Sequence, residues 1–263
     1  DSTHSNAMLR QIWIFAALVC TLAQVALSGP GCGRADIVFI LDESNSVWQN
    51  DLNKGKDFIT GVIDFLDTCM SPDSCQVAMI SYSDHPVIRF NLGKFSSKED
   101  IKHYLSLMGR LTGETTDTDK VLKLLRTSMF DPDFGARHDV KKLGILLTDG
   151  GSTVQGETEE QARMLHKAGI TMFAVGVSNS GRGTYLNETE LKIIASDPDY
   201  HYAMTVDGWN SLETLKEELA SKACPADGRY PLESRTLRRK RRAQWLLQHP
   251  GMQASSLPMC EVY

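Results

Sequence analysis

Apolar residues along this chain fall into short unbroken runs separated by longer stretches in which they recur every three or four positions. Ile37–Leu41, Val77–Ile80, Leu143–Leu147 and Met172–Val177 carry almost no polar side chain. A strand with one solvated face alternates, whereas a run apolar on both faces marks a strand covered from both sides, as at the centre of a parallel sheet. The pattern predicts strands at Asp36–Leu41, Gln76–Tyr82, Val87–Phe90, Lys142–Thr148 and Thr171–Val177, and a short one at Tyr200–Ala203. Between them the helical period predicts helices over Asn50–Leu66, Lys98–Leu107, Thr118–Thr127, Glu157–Ala168, Glu188–Ala195 and Trp209–Ala220. Val87–Phe90 follows Tyr82 through the turn residues Ser83-Asp84-His85-Pro86, which predicts a hairpin and an antiparallel edge strand. Strand and helix in alternation give an α/β fold, a doubly wound, mostly parallel open sheet with helices on both faces, Rossmann-like, with one antiparallel edge strand.

The pattern also sets boundaries. Pro225-Ala226-Asp227-Gly228 ends the periodic region, so one domain is expected over residues 32–224, followed by a basic, disordered tail over 225–263. Near the start, Arg10 precedes an apolar run from Ile12 to Cys20 that continues to Leu27, with small residues at Ala26 and Ser28. This describes a secretory signal cleaved after Ser28, with an uncleaved anchor as the alternative. Residues 1–28 are therefore an upstream leftover before Met8 plus a signal peptide.

Composition, 41% hydrophobic and 23% charged in 263 residues, is that of an ordinary globular protein. The net charge of -5 includes a basic run at Arg235, Arg238, Arg239, Lys240, Arg241 and Arg242, so the remainder is more acidic than the total suggests. An acidic body disfavours nucleic acid and anionic membrane and suits cations or basic partners. No membrane contact is expected after signal cleavage.

Secretion makes disulfides the natural state of the mature cysteines. Cys32 and Cys224 bracket the domain, so a bridge between them would staple its two ends. Cys69 and Cys75 flank a turn that a local bridge could close. Cys260 is then odd, an intermolecular link and possible route to an oligomer, or a free thiol. Paired CxxC spacing, which a zinc site would want, is absent.

In an open parallel sheet, ligands bind beyond the carboxyl ends of the strands. Asp42, Ser44 and Ser46 follow the first strand at alternate positions. Thr116 lies in Thr115-Thr116-Asp117-Thr118 at a helix start, and Asp149 ends the run Leu143–Thr148. Carboxylate and hydroxyl oxygens are hard donors, suited to Mg²⁺, Mn²⁺ or Ca²⁺. Any one of these groups alone also fits a turn or a helix cap.

Together the segments Asp42-Glu43-Ser44-Asn45-Ser46, Thr116-Asp117-Thr118 and Leu147-Thr148-Asp149-Gly150 closely resemble the von Willebrand factor type A family, with its matrilin and collagen modules. The strand Val77–Ser83 and the run Phe173–Val177 resemble it too. The resemblance implies a metal-ion-dependent adhesion site, with Ser44, Ser46 and Thr116 coordinating through hydroxyls and Asp42 and Asp149 acting mostly through bound water. The cation would be completed by a carboxylate from an extracellular protein partner, such as a collagen or another matrix component. Glu43, Asn45 and Asp119 depart from the small residues usual in the family. With Glu114 and Asp117 they either add negative charge around the rim or are solvated loop charges, and the solvated reading is favoured.

Asn187-Glu188-Thr189 is a glycosylation sequon that could equally be an unmodified helix cap, and the basic run fits a processing site or a polyanion patch. The expected protein is thus a secreted, non-enzymatic matrix or adhesion module. One alternative is a structural matrix-assembly protein, including one of mineralised matrix, with a non-essential metal site. A less favoured alternative is a Mg²⁺-dependent phosphohydrolase, which would want a second acid where Ser44 stands.

Overall fold

In a computed structural model, residues 34–66, 74–178 and 186–224 are described. The apolar runs form strands β1 (Ala35–Asp42), β2 (Cys75–Tyr82), β3 (Pro86–Phe90), β4 (Lys141–Thr148), β5 (Thr171–Ser178) and β6 (Ala203–Asp207). They make one sheet in the order β3-β2-β1-β4-β5-β6. All neighbours are parallel except β2 and β3, so the predicted antiparallel edge is present. Every residue of β1 is buried, as expected of a central strand covered on both faces.

The helices are α1 (Gln49–Phe65), α2 (Lys98–Leu107), α3 (Thr118–Leu124), α4 (Gln155–Lys167), α5 (Glu188–Ile194), α6 (Asp199–Tyr202) and α7 (Lys216–Ala223). Helix α3 runs into a π-helical turn, Leu125–Met129, and a 3-10 stretch, Trp209–Leu215, leads into α7. Positions 144 and 147 of β4 face opposite sides of the sheet, since strand residues alternate. A Cβ on Gly144 would lie 2.9 Å from Leu125, while one on Gly55 of α1 would lie 3.3 Å from Leu147. Helices α1 and α3 therefore cover opposite faces, which makes the sheet doubly wound. On one side α1 packs against α2 and α7, and on the other α3 packs against α4 and α4 against α5. The absence of a side chain at Gly144 is what lets Leu125 approach so closely, because an added Cβ would also meet Met172 Sδ at 2.5 Å.

The strand predicted at Tyr200–Ala203 is corrected. Asp199–Tyr202 forms a helical turn and the strand begins at Ala203. Aromatic residues favour strands, but here Tyr202 packs its ring 4.9 Å from that of Phe173 while Tyr200 is exposed. The edge pairing with β5 is made instead by Ala203–Asp207. The helix predicted over Trp209–Ala220 starts as a 3-10 stretch and ends three residues later than expected, at Ala223.

Cys75 and Cys224 are both disulfide-bonded. Their expected partners Cys69 and Cys32, together with Cys20, Cys260, the signal segment 1–28 and the tail 225–263, lie outside the described residues. Among the described residues no helix is long and apolar enough to cross a membrane.

The strand order reverses at β1, whose neighbours are β2 on one side and β4 on the other. The connections that leave β1 and β4 consequently diverge, and in open parallel sheets such a switch point is where a ligand crevice lies, beyond the carboxyl ends of the strands.

Candidate functional site

Asp42 closes β1 in that crevice and is fully buried. Its Oδ1 accepts from the backbone N–H of Ser44 at 2.9 Å, and its Oδ2 accepts from the hydroxyl of Thr148, the last residue of β4, at 2.6 Å. The Ser46 hydroxyl donates to Asp149 Oδ1 at 2.6 Å and lies 3.1 Å from Ser44 Oγ. A hydroxyl has one proton, so with that of Ser46 given to Asp149, Ser44 is the donor in the serine pair. The second oxygen of Asp149, Oδ2, is buried with no hydrogen-bond partner. The structure thus brings Asp42, Ser44, Ser46 and Asp149 into one row of oxygens.

That row is short of positive charge. Burial above all, and after it the Asp42 charge, push the Asp149 carboxyl up to about 7 against the opposing hydrogen bond from Ser46. Burial also raises Asp42, against hydrogen bonds from Thr148 and Ser44. Neither acid has a Lys, Arg or His partner among the described residues. Nor do these residues hold a group of three or more His, Cys, Asp or Glu side chains placed for a metal, so any cation here depends on hydroxyls as well as on two acids.

Thr116 reaches the same rim through its backbone. Its N–H donates to Thr153 Oγ1 and its C=O accepts from the Thr153 N–H, each at 2.9 Å, which joins its loop to the one that follows Asp149. Ser83 and Asp84, just past β2, hold the loop from below. Ser83 Oγ donates to the Thr115 C=O at 2.8 Å, and Asp84 Oδ1 accepts from the Glu114 and Thr115 N–H groups and the Thr115 hydroxyl. The Thr115 bonds above all lower the Asp84 carboxyl below its ordinary range. A Cβ on Gly113 would sit 2.4 Å from Ser83 Oγ, so the close approach requires glycine. The Thr116 hydroxyl makes no hydrogen bond to the other four candidates.

The solvated reading of the extra rim charges is corrected in part. Asn45 and Glu114 are exposed, but Glu43, Asp117 and Asp119 are buried. Glu43 accepts from Arg89 Nη2 at 2.9 Å and from the Leu111 N–H at 2.6 Å. Asp117 pairs with Lys120, and Asp119 Oδ1 is buried without a partner. The one signal for Glu43 was Arg89 itself, a charged residue within an otherwise apolar edge strand. Sequence reasoning also passed over Thr148 and Glu190. The Glu190 carboxylate accepts from Ser152 N–H at 2.8 Å and Ser152 Oγ at 2.6 Å, bracing the loop after Asp149. Asn187 caps α5, its Oδ1 accepting from the Glu190 N–H at 3.1 Å.

The sequence profile of the von Willebrand factor type A domain matches residues 36–218. Human Matrilin-1 is 34% identical over 211 residues, 80% of this chain and 40% of its own length. Collagen alpha-1(XII) of Notophthalmus viridescens is 30% identical over 200 residues, 75% of this chain and 20% of its own length. Among solved structures, proximal thread matrix protein 1 from the mussel byssus superposes with a TM-score of 0.64 at 30% identity, covering 73% of this chain and 47% of that one. A further structure of that mussel protein, with a zinc-occupied MIDAS motif, has the same identity and TM-score. The chain spans less than half the length of each of these relatives. With the profile covering most of the chain and the sheet order and crevice as described, the chain belongs to the von Willebrand factor type A domain family.

Proposed function

We propose that the chain is a secreted extracellular-matrix and adhesion module whose rim binds one divalent cation and, through it, an acidic side chain of an extracellular protein. The observation that carries this reading is Asp149, buried beside Asp42 with one oxygen unpartnered and its carboxyl pushed up to about 7. Two acids held together in a low-dielectric crevice favour a positive guest. Ser44, Ser46 and Thr116 would supply neutral hydroxyl oxygens and Asp42 and Asp149 the charge. Neutral donors leave the cation able to attract a further carboxylate, which is the chemistry it supplies when bound. Oxygen donors favour Mg²⁺, with Mn²⁺ and Ca²⁺ as substitutes, and the zinc in the mussel protein makes zinc a third arm of the test. The protein partner is a collagen or another matrix component, and the module binds without catalysing a reaction. The disulfides at Cys75 and Cys224 suit an extracellular location, Cys69 is the proposed partner of Cys75 and Cys32 that of Cys224, and Asn187 Nδ2 is the proposed glycan attachment.

The mussel protein is a thread matrix protein, which favours a second reading in which the fold assembles matrix and the cation is dispensable. Thermal unfolding in chelator, Mg²⁺, Mn²⁺ and Zn²⁺, with the Asp42→Ala variant alongside, separates the two. The cation reading expects a raised Tm in wild type alone, together with chelator-sensitive adhesion to immobilised collagens or other matrix proteins. No cation response in wild type sinks it, and adhesion that survives both chelator and Asp42→Ala favours assembly.

A further inference from the structure

We propose that Glu43, with Arg89 and Arg110, is a positioning device that fixes the serine pair of the rim from behind, an inference that rests on the cation reading above. Glu43 stands between Asp42 and Ser44 and is fully buried. Neighbouring side chains of an extended segment project to opposite sides. Asp42 accordingly meets Thr148 of β4, while Glu43 meets Arg89 of β3 and the backbone of Leu111. Arg89 is itself held, its Nε donating to Ser81 Oγ at 2.5 Å and its Nη2 to the Gly109 C=O at 3.1 Å. One residue further on, Arg110 Nη2 donates to the Ser44 C=O at 3.1 Å.

Ser44 is thereby fastened on every side except its hydroxyl. Its N–H is bound to Asp42, its C=O to Arg110, and the side chain before it to β3 and the segment 109–111. Only the torsion that aims Oγ at Ser46 is left, and Ser46 in turn aims at Asp149. None of Glu43, Arg89 and Arg110 joins the row of oxygens. The Glu43 charge is matched by Arg89 and so adds little to the field that draws a cation. A buried ion pair is also a poor stabiliser, since a well-packed apolar pair often does as well. Its place directly behind the donor row is accounted for by orientation.

The test is calorimetric titration of Mn²⁺ into the chain, at a temperature where chelated wild type and variants are all folded. Groups that orient metal ligands typically alter affinity by about ten- to a hundredfold. Glu43→Ala is expected to weaken Mn²⁺ by about tenfold or more. Glu43→Gln keeps one acceptor and is expected to weaken it by a smaller factor than Glu43→Ala does. If Glu43→Ala lowers the Tm in chelator yet binds Mn²⁺ as wild type does, the pair is merely structural and the proposal is overturned. Should Glu43→Ala not fold, Glu43→Gln decides, with weakened binding supporting the proposal and wild-type affinity overturning it. Wild type that takes up no Mn²⁺ refutes the cation reading instead, so the two failures are distinguishable.

Discussion

Strand β1 carries a buried aspartate near each end, and the two are treated in opposite ways. Asp36, near the start, is enclosed by Arg137, whose Nε donates to its Oδ1 at 2.9 Å and whose backbone N–H donates to its Oδ2 at 2.8 Å. The guanidinium also makes an ion pair with it at 2.8 Å and donates to the Ala35 C=O at 2.7 Å. Asp42, at the far end and equally buried, is hydrogen-bonded by the Ser44 amide and the Thr148 hydroxyl with no cationic partner among the described residues, and its charge helps to raise a second carboxylate, Asp149. The same strand therefore closes its charge internally at one end and leaves it open at the other. The proposed cation site lies at the end where the described residues supply no counter-ion of their own.

Three substitutions sharpen or break this contrast. The largest effect is expected of Arg137→Met, which strands Asp36 as an unpaired buried charge and should cost about 3–5 kcal/mol. Urea unfolding should return the same loss with chelator and with Mn²⁺, and a loss that cations repaired would erase the distinction between the ends. Next is Asp149→Asn. In chelator it should unfold no more easily than wild type, because a like-charge contact with Asp42 is gone. At a cation concentration about a hundredfold above Kd it should lack the gain of about 2.7 kcal/mol expected of wild type. A wild-type gain retained by the variant would remove Asp149 from the site. The smallest effect is that of Thr148→Val, which preserves shape but removes the hydroxyl donor to Asp42, at about 1–2 kcal/mol by denaturant unfolding. Full wild-type stability would mean that this hydrogen bond carries nothing.

The sheet was legible because four runs are apolar on both faces, a property that only a doubly covered parallel strand requires. β6 was misplaced because its alternation, Met204 and Val206 facing inward, is weak beside the aromatic Tyr200 and Tyr202 just before it. Aromatic rings serve a helical turn as well as a strand, and only the packing of Tyr202 on Phe173 decides between them. Of the candidate site, Asp42, Ser44, Ser46 and Asp149 could be read from chemistry and strand ends, and hydrogen bonds link Asp42 to Ser44, Ser44 to Ser46 and Ser46 to Asp149. Thr116 arrives on the rim through backbone bonds to Thr153 that no spacing announces. Glu43 was illegible for a related reason. An acid in a polar loop looks solvated, and the partners that bury it are 46 and 68 residues away along the chain.

The bond from Ser46 to Asp149 spans 103 residues. It can close only after β1 and β4 have found each other across about two-fifths of the chain, a long-range pairing of the kind that slows folding. If that pairing comes late, a cation would grip the finished protein and leave its route there untouched. Its stabilisation should therefore show up as slower unfolding, with the rate of folding hardly changed.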